Sequence, residues 1–204
     1  MPEARPTVFI VDDDPAVREA MGMLMASAGL DTCGFPGARD FLAAYEAGTP
    51  GCLVLDVRMP GMSGIELQEE LDRRGAALPI IFLTAYADVP TAVGAVRAGA
   101  VDFLQKPVEG GMLLKRVRDA LGMDSLSRAR RSEAEGARER LARLTARESQ
   151  VLQLVVEGQT NKAIAKALGI SRRTVETHRA HIMRKTDAAS LPELIRVVGS
   201  AGPH

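Results

Sequence analysis

A parallel α/β domain followed by an all-α domain is the fold this sequence predicts, on three observations. Between residues 7 and 121, strand signals alternate with helix signals at short intervals, five of each. Such alternation places a parallel sheet between two layers of helix. From Leu144 onward only helical patterns remain. Charge separates the same two halves, since residues 1–122 carry 11 Lys/Arg against 17 Asp/Glu and residues 123–204 carry 15 against 9. An acidic half joined to a basic half implies two tasks, with nucleic acid the first partner to test for the basic one.

The strand signals are Thr7–Val11, Asp31–Phe35, Cys52–Asp56, Pro79–Thr84 and Val101–Leu104. The helix signals between and after them are Ala16–Ala28, Arg39–Ala47, Ile65–Arg73, Thr91–Ala98 and Met112–Leu121. Right-handed crossovers restrict such a chain to a doubly wound topology, and five strands suit the flavodoxin-like order 2-1-3-4-5. Residues 122–143 lack an apolar stripe and alternate arginine with glutamate, which predicts a solvated helical linker continuing from Met112, with Gly122 and Gly136 as the residues able to break it. Beyond it, Thr145 and Glu148 have the spacing of a capping box, Val151, Leu152 and Val155 give that helix an apolar face, and Gly158 ends it. Asn161 opens a second helix with Ile164, Ala165 and Leu168 inward. Gly169 makes a tight turn, Ser171 caps a third helix containing Val175 and Ile182, and a fourth runs from about Leu191 to Val198. The domains implied are 1–122, a linker at 123–143, and a four-helix domain at 144–204.

Composition narrows the function classes. The apolar share of 46% and charged share of 25% are those of an ordinary globular chain, and five Phe, two Tyr and no Trp leave its cores aliphatic. No apolar run approaches the roughly 20 residues that span a bilayer, and no signal-peptide pattern opens the sequence. The cysteines, Cys33 and Cys52, have no metal-site spacing. A reducing, cytoplasmic location without membrane association is the expectation.

The chemistry gathers where the strands end. In doubly wound sheets, ligands bind beyond the carboxyl ends of the strands, near the switch between strands 1 and 3. Strand 1 runs into Asp12, Asp13 and Asp14, strand 3 ends on Asp56, strand 4 on Thr84, and strand 5 leads to Lys106. Asp14 before Pro15 reads as a helix N-cap. Taken singly, Asp56 reads as a turn residue, Thr84 as another and Lys106 as a surface charge. Converging, they form an acidic pocket suited to Mg²⁺, which takes one or two carboxylates plus water and phosphoryl oxygens. In that field Asp56 can act as a nucleophile toward phosphorus, with the metal, Lys106 and the Thr84 hydroxyl sharing the phosphoryl charge.

The pieces "VDDD", "LDVRMPGMSG", "FLTAYAD" and "GAVDFLQKP" make residues 7–122 resemble the receiver domain of two-component response regulators. The resemblance implies that Asp56 is the phosphoacceptor for a sensor histidine kinase. It implies that Asp12, Asp13 and Asp56 hold Mg²⁺ with the Arg58 backbone carbonyl, and that Thr84 and Lys106 stabilise the phosphoryl group. It also implies a cis Lys106–Pro107 bond, and places Phe103 at the switch-aromatic position beside the switch residue Thr84. Phe103 has no hydroxyl, so a switch there works by packing. A rival is a phosphatase of the haloacid-dehalogenase type, which needs a second acid two residues after the nucleophile; Arg58 stands there instead. The chain is then no turnover enzyme but a phosphoryl acceptor with at most slow self-dephosphorylation, and bulky Arg58 and Tyr86 are expected to hinder the hydrolytic water.

In the basic half, "ALGIS" joins two helices at helix-turn-helix spacing. With Val175 and Ile182 inward, the outward stripe is Arg173, Glu176, Thr177, Ala180 and Arg184, on a helix that also carries Thr174. Small Thr177 and Ala180 let that stripe approach base edges, and Glu176 can accept from a cytosine amino group. Arg172, Arg173, Arg179 and Lys185 are placed to reach phosphates, and His178 either contacts a phosphate or packs at the helix boundary. A solvated helix face is the plain alternative. "LTARESQVLQLVVEGQTNKAIAKALGISRRTVETHRAHIMRKTDAASLPELIRV" closely resembles the LuxR-type helix-turn-helix domain. With the receiver it makes the pattern of the NarL/FixJ family, and "IELQ", "DVPTAV" and "TVETHRAHIMRK" lean toward its FixJ-like branch. The resemblance implies a transcriptional response regulator that is a phosphoprotein in a phosphorelay, dimerises when phosphorylated, binds double-stranded promoter DNA and works with RNA polymerase. The face made by helix Thr91–Ala98 and strand Val101–Leu104 is where two receivers are expected to pair. A DNA-binding regulator with a vestigial, phosphorylation-independent receiver stays open.

Overall fold

The structure, a computed structural model, describes residues 5–85, 93–95 and 97–202. Among these the chain divides into two compact units, with the boundary between Ser127 and Arg128.

In the first unit, β1 (Thr7–Val11), β2 (Asp31–Phe35), β3 (Gly51–Asp56), β4 (Ile80–Thr84) and β5 (Asp102–Gln105) form one parallel sheet in the order 2-1-3-4-5. The pleat sorts alternate residues to opposite faces. Phe9, Val11, Leu53, Leu55 and Phe82 join a core with Leu67 and Leu71 of α3 (Gly64–Arg73) and Phe41 of α2 (Ala38–Ala44). Val8, Ile10, Cys52, Val54, Ile81 and Leu83 join the other, with Met21 and Met25 of α1 (Pro15–Ser27) and Leu113, Val117 and Ala120 of α4 (Gly110–Ala142). Burial on both faces explains why β1, β3 and β4 read as unbroken apolar runs. Edge strand β2 has no such run and is mostly exposed. Helical residues 93–95 and 97 fall within the predicted helix Thr91–Ala98, of which residues 91, 92 and 96 lie outside the described residues.

The second unit packs the C-terminal part of α4 with α5 (Ala146–Val156), α6 (Asn161–Leu168), α7 (Arg172–Thr186) and α8 (Leu191–Ala201). Each of the last four starts on a hydroxyl cap: Thr145, Thr160, Ser171 and Ser190. Between α6 and α7 the turn needs Gly169, whose φ of +66° lies in the left-handed region.

One sequence expectation holds and one is corrected. The segment after Met112 is one uninterrupted helix to Ala142, with Gly122 and Gly136 inside it. But 122–143 is not only a solvated linker: Ala137 and Leu141 are buried in the second unit's core, and Asp124 is buried in the first unit, where its carboxylate accepts from the Gly51 N–H at 3.0 Å. Two apolar residues four apart among charges make too short a stripe to stand out in sequence.

Candidate functional site

The carboxyl edge of the sheet is built by register. Val11, Leu55 and Phe82 are aligned across three neighbouring strands, so the residues that follow emerge side by side. Asp12 comes just after β1, Asp56 closes β3, Thr84 closes β4, and Lys106 follows β5 with its backbone N–H on the Thr84 carbonyl at 2.8 Å. The Lys106–Pro107 bond is cis.

Carboxylate oxygens of Asp12, Asp13 and Asp56 all lie within 4.8 Å of one another, with Asp12 and Asp56 buried and Asp13 exposed. The Lys106 ammonium sits 2.6 Å from Asp12 Oδ2 and 3.6 Å from Asp56 Oδ1. Burial pushes the Asp56 carboxyl up from the ordinary aspartate range. Lys106 pulls it back, Asp12 pushes it up again, the Val57 N–H donated to Oδ1 at 2.9 Å pulls it down, and Asp13 adds a final upward push. Three carboxylates against one ammonium leave an excess of negative charge in a half-closed pocket, and an all-oxygen donor set of this kind fits a hard divalent cation. The buried Thr84 closes the β4 edge of this site. Arg58, exposed, lies in the loop between β3 and α3. Phe103 is half-buried, its ring 5.9 Å from that of Phe82. Tyr86 lies outside the described residues.

Local chemistry holds the edge in shape. Asp14 caps α1, accepting from Ala16 N–H at 2.8 Å ahead of Pro15, and donates its own N–H to Asp12 Oδ1 at 3.0 Å. Arg18 donates to the Asp12 carbonyl at 2.7 Å, a support that the sequence did not signal. Gly64 starts α3 with its N–H on the Val57 carbonyl at 2.9 Å, and a Cβ there would collide with the Asp56 carbonyl oxygen. Only glycine lets α3 begin this close beneath Asp56.

The second set of candidates lies on α7. Arg172, Arg173, Thr174, Glu176, Thr177, Ala180 and Arg184 are exposed, while Val175 and Ile182 are buried, so the outward stripe forms one face. Arg179 and His178 are half-buried, and His178 Nδ1 is enclosed with no hydrogen-bond partner among the described residues. Thr177 donates its hydroxyl to the Arg173 carbonyl at 3.0 Å, so its O–H is engaged within the helix. Lys185 departs from the expectation of a phosphate-reaching charge: its ammonium is bonded at 2.6 Å to buried Glu148 Oε2. Glu148 also accepts from the Thr145 N–H at 2.8 Å and lies 3.6 Å from His181 Nδ1. Lys185 and the Thr145 donors together hold its carboxyl down at about 2. Sequence reading found Glu148 as a capping residue but not as the anchor of α7, because Lys185 is 37 positions away.

Receiver sheet, acidic strand edge and helix-turn-helix together define a two-component response regulator. Residues 8–118 match the family model "Response regulator receiver domain" and residues 142–198 match "Bacterial regulatory proteins, luxR family". The chain belongs to the NarL/FixJ family of response regulators, whose members bind DNA and regulate transcription. It is 48% identical to the transcriptional regulatory protein FixJ of Azorhizobium caulinodans, over 99% of this chain and 95% of that one. It is 44% identical to the transcriptional regulatory protein TdiR of Thauera aromatica, over 97% and 87% of the two chains. Among solved structures, that of the response regulator StyR matches with a TM-score of 0.88 and 45% identity, over 96% of this chain and 99% of the other. Receiver domains bind Mg²⁺ at an acidic pocket, and they imply a histidine kinase partner. Among the described residues no helix is long and apolar enough to cross a membrane.

Proposed function

We propose that this chain is a phosphorylation-controlled transcription factor whose phosphoacceptor is Asp56. The observation that carries the reading is the convergence of Asp12, Asp13, Asp56 and Lys106 from three strands onto one sheet edge. A phosphohistidine of a sensor kinase presents its phosphorus to an Asp56 oxygen. The new O–P bond forms as the N–P bond breaks, and the histidine nitrogen takes a proton from solvent. Asp12, Asp13, Asp56 and the Arg58 backbone carbonyl would hold Mg²⁺, which would supply positive charge to the phosphoryl oxygens. Lys106 leaves Asp12 for a phosphoryl oxygen, and Thr84 donates to another.

With Thr84 drawn toward the new charge, Phe103 packs inward against Phe82, and the face containing residues 93–97 and β5 changes shape. Two receivers pair on that face, and two α7 helices then meet two half-sites of promoter DNA. Arg172, Arg173 and Arg179 position the domain on phosphates, while Thr174, Glu176, Thr177, Ala180 and Arg184 face the bases. His178 packs at the helix boundary. Residues 1–122 are the phosphoacceptor part, 123–143 the connection and 144–204 the DNA-binding part. The site of action is the cytoplasm, where promoter-bound dimers act on RNA polymerase. Arg58, in place of a second acid, leaves hydrolysis of the aspartyl phosphate slow.

The test is reaction with a small acyl phosphate and Mg²⁺, followed by intact mass and peptide mapping. The expected result is a gain of one phosphoryl group on Asp56, lost with EDTA and absent in Asp56→Asn. A gain that persists in Asp56→Asn overturns the assignment of the acceptor, and no gain in wild type leaves a phosphorylation-independent regulator as the better reading.

A further inference from the structure

Gln68 is a buried amide that receiver chemistry leaves unused. It sits on α3, 2% exposed, and its Nε2 donates to the Ala98 carbonyl at 3.0 Å and to the Ala95 carbonyl at 3.3 Å. Those carbonyls lie at the C-terminal end of the helical residues 93–95 and 97, where a helix's last carbonyls have no intrahelical partner. The segment closes at Gly99, with φ +95°, and the Ala100 N–H returns to Ala95 at 3.0 Å. Gln68 therefore adds, from a neighbouring helix, side-chain donors to a C-terminus whose Ala95 carbonyl also accepts from the Ala100 N–H.

We propose that Gln68 is a positioning residue for the phosphorylation switch: it clamps the end of the switch-face helix to α3 and sets how far the switch equilibrium lies toward the unpaired form. This inference rests on the switch described above. The clamp has one end on the acceptor strand, because α3 starts at Gly64, bonded to Val57 and pressed against the Asp56 carbonyl. Through Gln68, residues 95–98 are thus registered to β3. Thr84 and Phe103 act from β4 and β5, and Phe82 and Phe103 share one core with Leu67, Leu71 and Ala95. A displacement driven from Thr84 must strain or break the two Gln68 bonds, so they oppose it. Lys106 rests on Asp12 in the arrangement where both bonds are made. The effect is local to one amide, and an apolar side chain of similar size removes it without opening a large cavity.

The test uses full-length wild type, Gln68→Leu and Gln68→Glu, each with Mg²⁺, with and without beryllofluoride as the aspartyl-phosphate mimic. Amide hydrogen exchange at residues 97–101 and the dimer dissociation constant are both measured. The expected result is faster exchange in both variants, and an about tenfold smaller ratio between free and beryllofluoride-bound dimer constants in Gln68→Leu, one to two neutral hydrogen bonds being worth that much. The change comes from tighter dimerisation of the free form. Gln68→Glu, which turns an acceptor on two carbonyls, exceeds it. A wild-type ratio together with unchanged exchange overturns the proposal. If beryllofluoride leaves wild type unchanged, the switch reading itself fails; unchanged exchange in the variants then removes the clamp as well.

Discussion

The acidic edge and the α7 face put similar numbers of charged residues to opposite uses. At the edge, Asp12 and Asp56 are buried, converge from different strands and perturb one another. On α7 the arginines come from one helix, with Arg172, Arg173 and Arg184 in solvent and Arg179 half-buried. Burial couples the first set, so that removing one group changes the fate of the others, as the proposed phosphoryl chemistry requires. Exposure leaves the members of the second set to contribute separately, as the proposed DNA-recognition surface requires. Glu148 is the exception that joins the two regimes, a buried carboxylate within the DNA-binding unit, there to hold α7 rather than to react.

That contrast can be broken by substitution, and the largest effect belongs to the edge. Lys106→Ala should lower the rate of phosphoryl acceptance by at least about a hundredfold, the scale for losing one charge-stabilising donor, read from intact mass over time. Next comes Glu148→Ala, which leaves Lys185 without its carboxylate and should lower unfolding free energy of the second unit by about 2 kcal/mol, read by urea denaturation. Its acid dependence has a definite sign. Glu148 is held down near 2 in the folded chain, against an ordinary 4.5. Its contribution is therefore complete above 4.5 and lost as pH falls toward 2. Wild type and Glu148→Gln should converge in stability over that window and differ at neutral pH.

Smaller, additive effects belong to the α7 face. Arg173→Ala should weaken binding to promoter fragments uniformly and reduce the salt slope by about one, whereas Glu176→Gln should change which fragments are preferred. Lys185→Ala should act through stability of the second unit and leave the salt slope nearly unchanged. A salt slope lowered as much as by Arg173→Ala would return Lys185 to the phosphate contacts.

The smallest expected effect is a gain. Burial raises Asp56, so its ionised form penalises the folded state at neutral pH, and the penalty disappears below the ordinary aspartate range. Asp56→Asn in EDTA should therefore raise Tm at pH 7 by a few degrees, with the gain shrinking on acidification. A Tm that falls instead would mean that Lys106 outweighs burial at this site.

Sequence made the sheet order and the acidic edge legible because both follow from local runs: an apolar strand, then a carboxylate, repeated in order. The capping residues Thr145 and Ser171 and the turn at Gly169 were readable for the same reason. What stayed hidden is tertiary. Gln68 reaches Ala98 across 30 positions, Asp124 reaches Gly51 across 73, and Lys185 reaches Glu148 across 37. No periodicity marks a polar residue whose partner is on another element. The burial of Ala137 and Leu141 was missed because their charged neighbours dominate the pattern around them.

The most direct measurement is molar mass by light scattering for the full chain with Mg²⁺, before and after beryllofluoride, beside Asp56→Asn. Wild type should pass from monomer to dimer and Asp56→Asn should stay a monomer under both conditions. A mass that does not change in wild type, or that changes equally in Asp56→Asn, would contradict the coupling of the acidic edge to assembly on DNA.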